Sequence, residues 1–117
     1  MTKKVKILTA RQGEILIFRL PPKSHHWLKS RRLVPFGNVI REGEKSGHKH
    51  GVTGQGDLLA PEGVPEEERG MNLLLKVGKE GAEIRHPEHE TIKLPEGEYH
   101  VMTQREFSEK QDRKAKD

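Results

Sequence analysis

"HETIKLPEGEYHVMTQREF", residues 89–107, carries two apolar runs of strand length joined by Pro-Glu-Gly. In its second half Tyr99, Val101, Thr103, Arg105 and Phe107 alternate with His100, Met102, Gln104 and Glu106. Side chains leave a strand on opposite faces in turn, so this period of two divides the residues between two faces. The same strand character extends upstream. "MNLLLKV" (71–77) is a continuous apolar run, "GKEG" (78–81) reads as a turn, and "AEIRH" (82–86) starts another strand. "EILIFRL" (14–20) is rich in branched and aromatic residues and is stopped by Pro21 and Pro22. "VKIL" (5–8) and "GNVIRE" (37–42) complete a set of six to eight short strands. "HHWLKSRRLVPF" (25–36) reads either as a helical turn or as a basic loop pinned to the body by Trp27 and Leu28.

Short strands separated by Gly- and Pro-rich turns, with no long helical period, predict a compact all-β domain. A small barrel or a two-sheet sandwich disposes of the edges of such a strand set. Residues 1–107 are expected to form this single domain. The Gly, Pro and Glu punctuation of residues 54–70 predicts an exposed, mobile loop within it. Residues 108–117 contain no large apolar group and are expected to form a charged, flexible tail.

Composition narrows the function classes. Only 31% of the 117 residues are hydrophobic and 34% are charged, so the core must draw on a few short runs. The absence of cysteine excludes disulfides, thiolate metal sites and thiol nucleophiles. No run approaches the ~20 apolar residues of a membrane span, and no apolar leader follows the basic N-terminus. A soluble cytoplasmic protein without membrane association is the expectation. The net charge of +4 is gathered in "TKKVK" (2–6), "HHWLKSRR" (25–32) and "KQDRKAKD" (110–117). These basic segments make nucleic acid a candidate partner. Trp27, beside His25 and His26, is a candidate base-stacking position.

The seven histidines are the strongest chemical signal. In "GEKSGHKHGVTG" (43–54), His48 and His50 are two apart and leave the same face of an extended chain. His86 and His89 flank Pro87 and Glu88; if those two residues turn a hairpin, the imidazoles face each other across its first pair. His100 lies on a later strand. Neutral imidazole is a common transition-metal ligand, and several of them held on separate strands make a rigid site for a divalent metal ion.

Two resemblances bear on this set. "GEKSGHKHGVTGQ" and "HETIKLPEGEYHVMTQ" are similar to the two cupin motifs, H-x-H in the first and P-x-G-x2-H in the second. Gln55 stands where that family has glutamate, and Gln104 where it has asparagine. The cupin resemblance implies a jelly-roll β-barrel with His48, His50 and His100 as metal ligands, and His86 or His89 as a substitute for the lost glutamate. "GHKH" and "HPEHETIKLPEGEYHVMTQREF" also resemble small uncharacterised phage and prokaryotic proteins. Their shared pattern is GH-x-H followed by H-x-EH-x2-I-x-LP-x-G-x-Y-x-V-x2-QRE-[YF]. That resemblance implies His48, His50, His86 and His89 as the working set, with His100 incidental.

A metal-binding cupin-like β domain is therefore the leading expectation. The alternatives are a nucleic-acid-binding or RNA-cleaving accessory protein, with a pair such as His48 and His86 or His89 as general base and acid, and a phage or mobile-element interaction module without catalysis.

Overall fold

The structure is a computed structural model that describes residues 8–42, 48–65 and 68–103. Two strands decide its shape because they are too long to serve one flat sheet. They are β5 (Lys49–Pro61) and β6 (Asn72–His86), of 13 and 15 residues. They pair with each other antiparallel, with a register shift between Gly54 and Gly56. On one side of that irregularity, the second half of β5 pairs with β3 (Leu33–Gly37), and the first half of β6 with β8 (Gly97–Thr103). On the other side, the first half of β5 pairs with β4 (Val39–Glu42), and the second half of β6 with β7 (His89–Leu94). β2 (Ile15–Leu20) pairs with β8, and β1 (Leu8–Gln12) pairs with β2. The eight strands of the described residues run antiparallel to their neighbours in one sheet, ordered β1-β2-β8-β6-β5-β3 with β4 and β7 branching from the long pair.

The sheet folds over at that bend into two facing layers. Ile15, Ile17, Leu58, Ala60, Leu73, Leu75, Val77, Tyr99 and Val101 from the larger layer form one buried cluster with Ile40, Val52, Ala82, Ile84 and Leu94 from the smaller. The all-β expectation therefore holds, as a sandwich-like sheet rather than a closed barrel. The alternation foreseen in the last strand is also present: Tyr99 and Val101 face the inter-layer core, while His100 and Met102 face the outside of the larger layer. Both faces are buried there, because the outer one is covered as well. Leu28, on the 3-10 turn Trp27–Ser30, packs with Leu20 and Leu74 on that outer face. A helical turn is thus the reading of "HHWLKSRR" that the structure supports, and the "LVPFG" that follows it is a strand the sequence reading did not separate.

Several punctuation marks take a different meaning in three dimensions. The loop expected over 54–70 does not begin at Gly54, because Gly54 to Pro61 continue β5. The glycines there serve the bend. Gly54 has φ +84, and a Cβ on it would lie 2.9 Å from the Gly81 carbonyl oxygen. A Cβ on Gly56 would lie 2.7 Å from Val52 Cγ1. Glycine inside a strand often marks such a bulge or close approach. Likewise "GKEG" is not a reverse turn: "MNLLLKV" and "AEIRH" are halves of the single strand β6. Pro95 and Glu96 carry the chain from β7 in the smaller layer to β8 in the larger one, where the Tyr99 hydroxyl donates to the Pro95 carbonyl at 2.7 Å. The Pro87–Glu88 turn between β6 and β7 is the hairpin expected, with His86 opposite His89. Residues 5–7 of the first expected strand, residues 104–107 of the last and the tail 108–117 lie outside the described residues.

No helix among the described residues is long and apolar enough to cross a membrane.

Gly54 and Gly63 share a φ of +84, but nothing lies within 4 Å of a Cβ built on Gly63. Replacing Gly63 by Ala is expected to cost about 1–2 kcal/mol, the penalty of the left-handed region alone. Gly54→Ala should cost clearly more, since its Cβ also meets fixed backbone. Urea denaturation of the two variants measures the difference.

Candidate functional site

The site begins at the tight turn between β1 and β2. Gln12 ends β1 with its side chain directed across the open end of the sandwich, and it is only 2% exposed. Its Nε2 donates to the carbonyl oxygens of Ile84 on β6 and Glu90 on β7, both at 2.8 Å. Carbonyls only accept, so this end of the amide is the NH2 group, and the other end is Oε1. Oε1 lies 2.8 Å from His50 Nδ1. An amide oxygen only accepts, so His50 Nδ1 carries the proton and donates it. The lone pair of the neutral ring is then on Nε2.

Three more imidazoles surround His50. His86 lies 4.4 Å from it between ring centroids and His89 6.1 Å, while His86 and His89 are 4.6 Å apart. His48 approaches His86 edge-on at 6.0 Å. The β-periodicity explains this convergence. His50 and Val52 share the inward face of β5, and His86 follows Ile84 along the inward face of β6. The Pro87–Glu88 turn then returns His89 alongside. Gly13 admits the rings from the other layer: with φ +58, it brings backbone so close that an added Cβ would lie 2.9 Å from His89 Nε2 and 3.5 Å from His50 Cε1.

The nitrogens are oriented as well as gathered. Glu88 sets two rings at once. Its carboxylate lies 3.3 Å from His48 Nδ1, and its backbone N–H donates to His86 Nδ1 at 3.1 Å. Nδ1 is the engaged nitrogen in His48, His50 and His86, but it donates in His50 and accepts in His86. His50 has its pKa lowered to about 4, first by burial and then by the neighbouring charges of His86, His89 and Arg41. His86 is also lowered, through desolvation first and His89 next, against the opposing pull of Glu88. Arg41 is held at the rim by Glu14, with Nε 2.6 Å from Oε1.

The five histidines singled out from the sequence therefore divide into four and one. His48, His50, His86 and His89 come together at the open end of the core. His100 does not join them. Its ring sits on the outer face of the larger layer among Phe18, His26 and Trp27, with centroid distances of 6.1, 4.7 and 6.2 Å, and its Nε2 lies 2.8 Å from Asn72 Oδ1. The ligand set implied by the cupin resemblance is thus separated, because His100 and the H-x-H pair lie on opposite faces of the folded sheet. Gln55 is also occupied elsewhere: its Oε1 accepts from the Glu80 N–H at 3.0 Å in the bend. Gln104 lies outside the described residues.

Sequence reading missed Gln12, Gly13 and Glu88. "RQGE" signals only a hairpin turn, and Gln12 meets its partners 38 to 78 residues away. Glu88 is visible in "HPEH" but reads there as turn filler.

As the rings stand, they pack against one another, with interplanar angles of 35° for His50–His86 and 45° for His86–His89. No three His, Asp or Glu groups among the described residues are arranged to hold one ion in that packing. The fit of a metal then depends on how readily the rings turn. His50 is fixed by Gln12. His86 and His89 are more accessible, and the terminal torsion of a histidine is broad. For His86 the turn gives up one hydrogen bond to Glu88, worth about 0.5–1.5 kcal/mol.

Fold and site together define an all-β domain that collects four imidazoles at one end of its core. A family model described as "Domain of unknown function (DUF8820)" matches residues 11–104, and the chain belongs to that family. The matched span includes Gln12 and all four clustered histidines. No curated protein and no solved structure matches the chain.

The cluster makes stability depend on pH in a defined window. Unfolded, His50 has an ordinary pKa of about 6.5; folded, it stands at about 4. Between these values the unfolded chain binds more protons, so acid favours unfolding there. Stability is expected to be level above about pH 6.5 and to decline toward pH 4, by up to roughly 3 kcal/mol. Denaturation at a series of pH values tests this, and His50→Gln should flatten the decline.

Proposed function

We propose that the domain binds a divalent transition-metal ion through His50, His86 and His89, with His48 as a fourth, outer ligand. The observation that carries the reading is the Gln12–His50 hydrogen bond. A metal-binding histidine must be neutral, and its other nitrogen is usually fixed by a carbonyl, carboxylate or similar acceptor. His50 meets both conditions, and His48 receives the same support from Glu88. An all-imidazole donor set suits zinc, nickel, copper or iron rather than calcium or magnesium.

Magnitudes favour this over acid–base work. A general base is most effective with a pKa near the working pH. At about 4, His50 is a weak base at neutral pH and is not protonated there to act as an acid. As a ligand it is ready without titration. The reorientation of His86 is small beside the roughly 10–16 kcal/mol of apparent binding energy seen for structural zinc. Three imidazoles on an ion leave a position open for water or a small ligand, which permits Lewis-acid chemistry. The donor set contains no thiolate, as a chain without cysteine requires.

Calorimetry and thermal unfolding with zinc and with nickel test the proposal. Metal at a hundredfold excess over Kd should stabilise the fold by about 2.7 kcal/mol. His50→Ala should abolish that gain, and Gln12→Leu should weaken binding about 10- to 100-fold. His100→Ala, whatever its own stability, should bind metal like the parent. Failure of zinc, nickel, copper and iron alike to bind or stabilise would refute the reading.

A further inference from the structure

On the outer face of the larger layer, away from the histidine cluster, the chain presents a different surface. We propose that Trp27 and the cations around it form a stacking site for single-stranded nucleic acid. Trp27 is the large hydrophobic residue that the described structure leaves exposed, at 38%. Its position is built rather than frayed. Leu28, next to it, is fully buried against Leu20 and Leu74. The turn is closed by the Lys29 N–H donating to the His26 carbonyl at 2.9 Å and the Ser30 hydroxyl donating to the Trp27 carbonyl at 2.8 Å. His26 lies beside the indole at 5.8 Å with an interplanar angle of 29°, and His100 supports it edge-on. The result is a flat aromatic group held at the surface on a fixed support.

The segment that carries it is basic. From Lys23 to Arg32 the sequence contains four cations, Lys23, Lys29, Arg31 and Arg32, and no carboxylate. The Arg31 guanidinium lies 5.8 Å from the Trp27 ring centroid, and Lys23, Arg31 and Arg32 are all exposed. Lys29 is paired with Glu98 at 2.6 Å, and Arg32 with Glu62 at 3.1 Å. The second of these is a solvent-exposed pair, of the kind that contributes little and yields readily to a competing phosphate.

An exposed indole beside cations is the combination that single strands use: bases stack on the ring while phosphates meet the cations. Bases within a duplex are already stacked on each other, and no α-helix of this domain is present among the described residues to enter a groove. A membrane would gain little here, because one indole offers small apolar area.

Trp27 is the sole tryptophan, so its fluorescence reports on this position alone. An oligothymidylate of about twelve nucleotides, titrated into the full chain at low salt, should quench that emission, with an affinity that falls as salt rises. Anisotropy of the labelled oligonucleotide should show Trp27→Ala binding roughly 5- to 100-fold more weakly. Trp27→Phe should recover part of the loss, and Arg31→Ala should weaken binding and reduce its salt dependence. His50→Ala should bind the oligonucleotide normally, which separates this site from the metal reading. The proposal fails if the oligonucleotide leaves the emission unchanged. It fails equally if Trp27→Ala binds like the parent, or if anionic lipid vesicles are bound in preference to the oligonucleotide.

Discussion

One carboxamide holds together the end of the molecule where its chemistry is concentrated. Gln12 satisfies a carbonyl on β6, a carbonyl on β7 and the Nδ1–H of His50 on β5, while its own backbone belongs to β1 in the facing layer. A buried amide left without partners costs about 1–3 kcal/mol for each unmet group, so the arrangement is stable only when all of these bonds are made together. Closing the open end of the sandwich and choosing the tautomer of His50 are therefore the same event. Glu88 acts in parallel at the rim, where one residue orients His48 through its carboxylate and His86 through its N–H. His50 and His48 are thus oriented by residues that are not themselves candidate ligands, whereas His86 is held by a bond that a metal would replace.

The strand set was largely legible because alternation and Gly/Pro punctuation are local signals. The strand β2, the division of β8 into two faces and the His86–His89 hairpin follow from them directly. What local pattern does not show is continuity through a glycine. Gly54, Gly56 and Gly81 look like the ends of strands, yet they let β5 and β6 bend between layers without stopping. The physical reason is that glycine relieves the steric conflict at a fold in a sheet as readily as it makes a turn. "LVPFG" was hidden for a related reason, since Pro35 argues against a central strand but is tolerated in β3, which ends the sheet.

The candidate site was legible as a list of histidines but not as a group. Spacing alone allows His100 to belong with His48 and His50, because alternation assigns faces within one strand only. The fold separates them by turning β5 and β6 over, which sends His50 and His86 inward at one end and leaves His100 on the outer face beside Trp27. The two surfaces that result are chemically distinct. One is a set of four imidazoles with Nδ1 engaged in three of them; the other is an exposed indole with the Arg31 guanidinium 5.8 Å from its ring centroid.

Imidazole nitrogens report their own protonation, so long-range 1H–15N correlation spectra of the histidine rings examine the account at its centre. His50 should be neutral at pH 7, with the proton on Nδ1 and a bare Nε2, and should remain so down to about pH 5. Addition of zinc should then shift its Nε2 resonance. A His50 that carries its proton on Nε2, or that titrates near the ordinary value of about 6.5, would contradict the account.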